Sequence, residues 1–209
     1  MRVPESEDRG VRNESKEVER QLAHKLQDEM WALEERLNRE PDGDPLIWAI
    51  PGKLACTRRP LRDHPDFQAY VYEDHLPAEA GPLIIAWVER IVAVGVCSVV
   101  CLLPDGQLRR YHGLRGMTDG LLSLYEERGL QVRQVPCPDP RHEHVEKGWL
   151  EPIKLVAYQA FLELPKPVLL HCSAGIDRSS PVAAYIACQM QAPAAAEPGS
   201  PPRVGARVS

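Results

Sequence analysis

Residues 167–190, "PVLLHCSAGIDRSSPVAAYIACQM", decide the fold. The opening PVLLHC is short and apolar and starts at Pro167, whereas the closing RSSPVAAYIACQM has helical composition. The segment therefore reads as strand, loop, helix, and the loop is a helix N-terminus. There the peptide N–H groups from Ser173 to Ser179 can turn inward, and the helix dipole adds positive potential. Such a cradle binds a phosphate-like dianion. Gly175 removes the side chain that would obstruct a left-handed turn in mid-loop. Arg178, six positions after Cys172, brings a planar fork able to pair two phosphate oxygens. Cys172 stands in the middle of this field. Helix N-termini and cations lower thiol pKa values, so the spacing predicts a thiolate nucleophile. Ser179 can donate to its sulfur, and His171 is expected to fix the loop through its ring nitrogens.

The pattern His171-Cys172, five residues, Arg178-Ser179 resembles the signature of the cysteine-dependent protein tyrosine and dual-specificity phosphatases. The resemblance implies that Cys172 attacks phosphorus. It implies further that Arg178 and the amides of Ser173, Ala174, Gly175, Ile176, Asp177 and Arg178 hold the phosphoryl oxygens, and that Ser179 eases departure of the thiolate. Rhodanese-like sulfur transferases also use a cysteine in an anion-binding loop, but Gly175 with Ser179 favours the phosphatase pattern. The plainer alternative is a buried thiol at a strand end with a surface arginine nearby.

Working outward, residues 15–40 carry Val18, Leu22, Leu26, Met30 or Leu33, and Leu37 at helical spacing, and PDGDP then stops the helix. Docking on its own domain is favoured for this helix, with pairing to another chain, and so self-association, as the alternative. Residues 1–14 are expected to be disordered. A phosphatase domain is expected over 46–190, opening with LIWAIPGKLACT as a pair of short strands broken at Pro51-Gly52. GPLIIAWVERIVAVG reads as a helix, VCSVVCLL as a buried central strand, and TDGLLSLYEERG as a helix capped by Thr118. LQVRQVP alternates as a strand, and the following segment places Trp149, Ile153, Val156, Ala160 and Leu164 on one helical stripe. This alternation predicts an α/β domain with a largely parallel central sheet flanked by helices, and a ligand site beyond the carboxyl ends of its strands. The extra N-terminal helix is added to a dual-specificity-phosphatase-like core.

Phosphatases of this type usually add one or two further helices after the one that follows the loop. Here residues 191–209 are rich in Pro, Ala, Gly and Ser and read as a disordered tail. The N-terminal helix is the one spare amphipathic element able to cover the exposed sheet face.

The chain has 209 residues and a net charge of -5, which argues against a general nucleic-acid or anionic-membrane surface and makes any phosphate affinity local to a pocket. No run approaches a membrane span, and the acidic start MRVPESEDRG is unlike a signal peptide, so a cytoplasmic protein is expected. Six cysteines without CxxC pairs fit reduced thiols, with Cys97 and Cys101 inside an apolar strand. No metal or cofactor is implied, because the loop and arginine already supply the charge stabilisation.

A leaving alkoxide or phenoxide needs a proton as the P–O bond breaks. Asp139, between Pro138 and Pro140 after a predicted strand, resembles the family's acid, with Asp177 inside the cysteine loop as its competitor. Asp105 reads as turn chemistry and Asp119 as a first-turn carboxylate, while His142 and His144 could line the rim. Ser173, Ala174, Ile176 and Asp177 include no basic residue, which tilts the substrate toward a phosphoprotein (tyrosine or dual-specificity) or a small phosphomonoester. Two readings of the whole chain stay open: an enzyme working through a cysteinyl phosphate, with a non-protein phosphate as the alternative substrate, and a phosphate-binding pseudo-phosphatase or scaffold.

Overall fold

A computed structural model describes residues 5–117 and 119–191, the first nine of these by backbone alone. Residues 1–4, the tail from 192 on and the proposed cap Thr118 lie outside the described residues. Five short strands form one sheet: β1 (Ile47–Ile50), β2 (Leu54–Thr57), β3 (Ser98–Cys101), β4 (Gln131–Gln134) and β5 (Val168–His171). Their order is β1-β2-β5-β3-β4; β1 is antiparallel to β2 and the remaining pairs are parallel. The chain turns between β1 and β2 at Gly52, whose φ of +66° suits glycine. The helices are α1 (Glu5–Arg39), α2 (Ala80–Ala93), the short α3 (Asp105–Leu108), α4 (Leu121–Glu127), α5 (Leu150–Glu163) and α6 (Ser179–Gln191).

Strand side chains alternate between the two faces, and that period divides the core. Leu54, Cys56, Val100, Val168 and Leu170 face one layer, where α1, α5 and α6 contribute Leu26, Met30, Leu33, Phe161, Val182 and Ile186. Ala55, Val99, Cys101 and Leu169 face the other, against Ile84, Val88 and Ile91 of α2 and Leu121, Leu124 and Tyr125 of α4. Each fully buried Leu, Ile or Phe contributes roughly 1.5–3 kcal/mol, so both layers hold the central strands in place.

Helix α1 lies on its own domain, against α6 and the sheet. Ala23, Leu26, Met30, Leu33 and Leu37 are buried, and Lys154 of α5 is tied to Glu19 at 2.6 Å. It begins at Glu5, ten residues before the expected start, so residues 5–14 are helical where disorder was expected. A run of charged residues does not stop a helix whose later turns are anchored by packing. Val18, expected on the inner stripe, is exposed, and the register is completed by Ala23.

Two further expectations need correction. In α5 the stripe runs through Ala157, Ala160 and Phe161, with Val156 exposed at 54%, because a 3.6-residue period carries the stripe from Ile153 to 157 as readily as to 156. Cys97 precedes β3 and is half-buried, so only Cys101 belongs to the buried strand.

The carboxyl ends of the four parallel strands meet at one end of the sheet. β2 runs into Arg58 and Arg59, β3 into α3 with Gln107, β4 into the loop holding Asp139, and β5 into Cys172. This is the end at which α/β sheets bind ligands.

Candidate active site

Cys172 follows the last residue of β5 and is 1% exposed by area, yet it lines an 840 Å³ cleft together with Ser173, Ala174, Asp177, Arg178 and Asp139. The Gly175 N–H donates to Cys172 Sγ at 3.2 Å, and Ser179 Oγ lies 3.4 Å from the same sulfur. The loop thus curls around the thiol, as the spacing of the sequence suggests. Gly175 has φ +80°, and a Cβ there would collide with Met30 Sδ. The positive φ favours glycine, and any Cβ there would have to displace the buried Met30 side chain.

Several groups brace this loop from behind. Ser180 Oγ donates to the Gly175 carbonyl, and Gln27 Nε2 of α1 donates to the Ile176 carbonyl at 3.2 Å. Arg59 donates from its N–H to the Ser173 carbonyl at 3.0 Å and from Nε to Ser173 Oγ at 3.2 Å. His171 is fully buried, with Nδ1 3.3 Å from the Cys172 carbonyl and Nε2 3.2 Å from the Tyr125 hydroxyl. A carbonyl only accepts, so Nδ1 carries the proton and Nε2 accepts from Tyr125. Burial pushes the His171 pKa down to about 4, with Arg178 adding to the effect, so the ring is neutral at pH 7 and serves as a strut.

Arg178, also buried, is gripped on both arms of its fork. Nη2 pairs with Asp139 Oδ2 at 2.9 Å, and Nη1 donates to Gln107 Oε1 at 3.0 Å and to the Cys137 carbonyl at 3.2 Å. Gln107 Nε2 closes the triangle on Asp139 Oδ2 at 3.0 Å. Burial alone would raise the Asp139 pKa; Arg178, Gln107 and the Arg141 N–H outweigh it and hold the carboxyl below its usual range. Asp139 also starts a small turn: its carbonyl accepts from the N–H groups of His142 and Glu143, and Glu143 Oε1 accepts from its N–H.

The competing carboxylate sits elsewhere. Asp177 Oδ2 accepts from Arg141 Nε at 2.7 Å on the rim of the cleft. His142 lines the cleft and His144 does not. Asp105 begins α3 and accepts from Gln134 at 2.9 Å, and Asp119 is exposed ahead of α4; neither lines the cleft. Burial pushes the thiols of Cys101 and Cys137 up to about 12 and that of Cys56 upward as well, so these three cysteines stay neutral at neutral pH. Among the described residues no group of three or more His, Cys, Asp or Glu side chains is placed to hold a metal. No helix among them is long and apolar enough to cross a membrane.

The structure brings together Cys172, Arg178, Ser179, His171 and Asp139. It also adds residues that sequence reasoning missed: Gln107, Tyr125, Arg59, Gln27, Met30 and Ser180. One signal pointed to some of them. In a parallel sheet the residues just after β2 and β3 share the site's end, so CTRRPLR and PDGQ were open to a search on topology alone.

No protein-family model and no curated protein matches the chain. Among solved structures, the protein named "Putative phosphatase (DUF442)" from Shewanella putrefaciens CN-32 is matched at 16% identity with a TM-score of 0.35. The match covers 66% of each chain.

Proposed function

We propose that the chain is a metal-independent phosphomonoester hydrolase that works through a cysteinyl phosphate. The observation that carries the reading is the loop itself: a thiol at its centre receives the Gly175 N–H, faces Ser179 and lies in a cleft shared with an arginine fork and a carboxylate. In the first step Cys172 Sγ attacks phosphorus, the S–P bond forms and the ester P–O bond breaks. The leaving oxygen takes the proton of Asp139. In the second step Asp139 takes a proton from water, whose oxygen attacks phosphorus; inorganic phosphate leaves, and the thiolate returns with help from Ser179.

Asp139 begins as the ionised partner of Arg178, which is the wrong state for an acid. A bound phosphoryl dianion changes this. It draws the Arg178 fork to itself and adds two negative charges beside Asp139, and both effects favour the protonated carboxyl. Proton uptake on substrate binding follows. Asp139 suits this role better than Asp177, because it shares the Arg178 fork while Asp177 is engaged by Arg141 at the rim.

The proposal is tested by hydrolysis of an aryl phosphate in EDTA, comparing wild type with Cys172→Ser. Turnover that persists in EDTA and disappears with the substitution supports the enzyme. Equal rates in both proteins would refute it, and tight phosphate binding without turnover would favour the pseudo-phosphatase. The absence of a basic residue at Ser173, Ala174, Ile176 and Asp177 supports a phosphoprotein substrate, tyrosine or dual-specificity, whereas arginines elsewhere in the cleft favour a more anionic molecule.

A further inference from the structure

Among the described residues Asp74, Asp139, Glu143 and Asp177 line the cleft, and its arginines outnumber these carboxylates by one. Five arginines line it in a protein whose net charge is -5: Arg62, Arg109, Arg110, Arg141 and Arg178. Two are matched by carboxylates, Arg178 by Asp139 and Arg141 by Asp177. Arg62 and Arg110 have no carboxylate at ion-pair distance among the described residues, and neither has Arg59, which stands beside them on Ser173. Arg110 is 7% exposed. Its Nη1 donates to the Val71 carbonyl at 3.3 Å, and the same carbonyl accepts from Arg59 at 2.8 Å, so two guanidinium groups converge on one oxygen. Arg62 Nε is buried without a hydrogen-bond partner.

Like charges held this close repel, and the pKa shifts show it. Burial is the larger cause in each case; Arg58 and Arg59 push Arg62 further down, and Arg59 and Arg62 do the same to Arg110. Asp74, on the cleft wall, is the carboxylate that partly offsets Arg110; Asp63 and Glu34 are nearest Arg62 but pair with Arg58. The connecting loop is strained as well. Leu61, between Arg59 and Arg62, is buried with φ +59°, a left-handed conformation unfavourable for a bulky side chain.

We propose that the cleft holds a second anion subsite, formed by Arg62 and Arg110 with Arg59 behind them, which takes a second phosphate group of the substrate. The proposal rests on the phosphatase reading for which phosphate is cleaved. Arg59 bonds Ser173, the neighbour of Cys172, so the two anion positions adjoin one another. Arg110 is too enclosed to meet a phosphate that stays at the rim. Both features call for two closely spaced phosphates on a compact scaffold such as a sugar or cyclitol. A second anion would relieve the repulsion among the arginines, and charge-assisted bonds of this kind are among the stronger polar contacts.

The test uses the full chain carrying Cys172→Ser, so that binding is read whether or not the wild type turns over. Calorimetry at one ionic strength compares an inositol monophosphate with a vicinal inositol bisphosphate, and a singly with a doubly phosphorylated peptide. The expected result is bisphosphate binding about tenfold tighter or more, with most of that advantage lost in Arg62→Gln and partly kept in Arg62→Lys. Thermal melting confirms that the variants are folded, and the wild-type preference itself needs no variant. Equal affinity for the mono- and bisphosphate overturns the subsite. A preference confined to the doubly phosphorylated peptide overturns the compact scaffold. Turnover of an aryl phosphate by the wild type, measured separately, judges the phosphatase reading without bearing on these outcomes.

Discussion

The cysteine loop and the acid loop face each other across the cleft and are held in opposite ways. The first has Cys172, Gly175, Ile176 and Arg178 buried and is backed by α1: Met30 fills the space behind Gly175, Gln27 holds the Ile176 carbonyl, and Ser180 and Arg59 fix two more positions. The second is mostly exposed from residue 141 to 144, and its hold on the site runs through Asp139, Gln107 and Arg178. Nucleophilic attack needs a fixed cradle, so rigidity there costs nothing in function. In the proposed cycle Asp139 changes its protonation state and its partner, and a position held by an exchangeable ion pair permits that. The contrast explains why the extra N-terminal helix matters: it braces the rigid side.

The largest effect is expected at the point where the loops touch. Arg178→Lys keeps the charge but loses the fork, and turnover should fall by about a thousandfold, close to the loss in Arg178→Ala. Steady-state rates on an aryl phosphate check this, and near wild-type turnover in the lysine variant would remove the bidentate role.

On the rigid side, Met30→Ala opens a cavity behind Gly175 and should lower stability by about 2–5 kcal/mol. Thermal melting measures the loss, and activity should fall further than stability explains, because Gly175 carries the N–H that meets Cys172 Sγ. His171 provides a pH signature of the same side. Its folded pKa of about 4 lies below the unfolded value near 6.5. The neutral ring therefore contributes its full stability above pH 6.5, and that contribution is lost as pH falls toward 4. The melting-temperature gap between wild type and His171→Gln should narrow over that window.

On the side of the acid loop, Asp139→Asn should lower turnover of alkyl or tyrosyl phosphates by about a hundredfold or more and that of a nitrophenyl ester much less, since a good leaving group needs no proton. Loss at Asp177→Asn with none at Asp139→Asn would transfer the acid to the cysteine loop and erase the contrast. Arg141→Ala, which frees Asp177 at the exposed rim, should change rates by only a few-fold, in line with the roughly 0–1 kcal/mol of a surface ion pair.

The same contrast shows in what the sequence reveals. The cysteine loop is legible because its chemistry is compressed into consecutive residues, from His171 to Ser179, after an apolar strand and before a helix. The parallel sheet follows from alternating strands and helices. Gln107 and Arg59 were not legible, since they reach the site only through strand order, and nothing in their local sequence says that β2 and β3 flank β5. Met30 reads equally well as a coiled-coil or a core residue; its role behind Gly175 depends on α1 crossing α6. The early start of α1 is not legible in the sequence because residues 5–14 lack an apolar stripe.

The central claim is that Cys172 carries the phosphoryl group. Its most direct test is rapid acid quench of the wild-type protein during turnover of an aryl phosphate, followed by mass spectrometry of the peptides. The account predicts a phosphoryl adduct on the peptide that contains Cys172, more abundant in Asp139→Asn with a nitrophenyl ester, where the second step is slowed. Steady turnover with no adduct at Cys172, or an adduct on another residue, would contradict it.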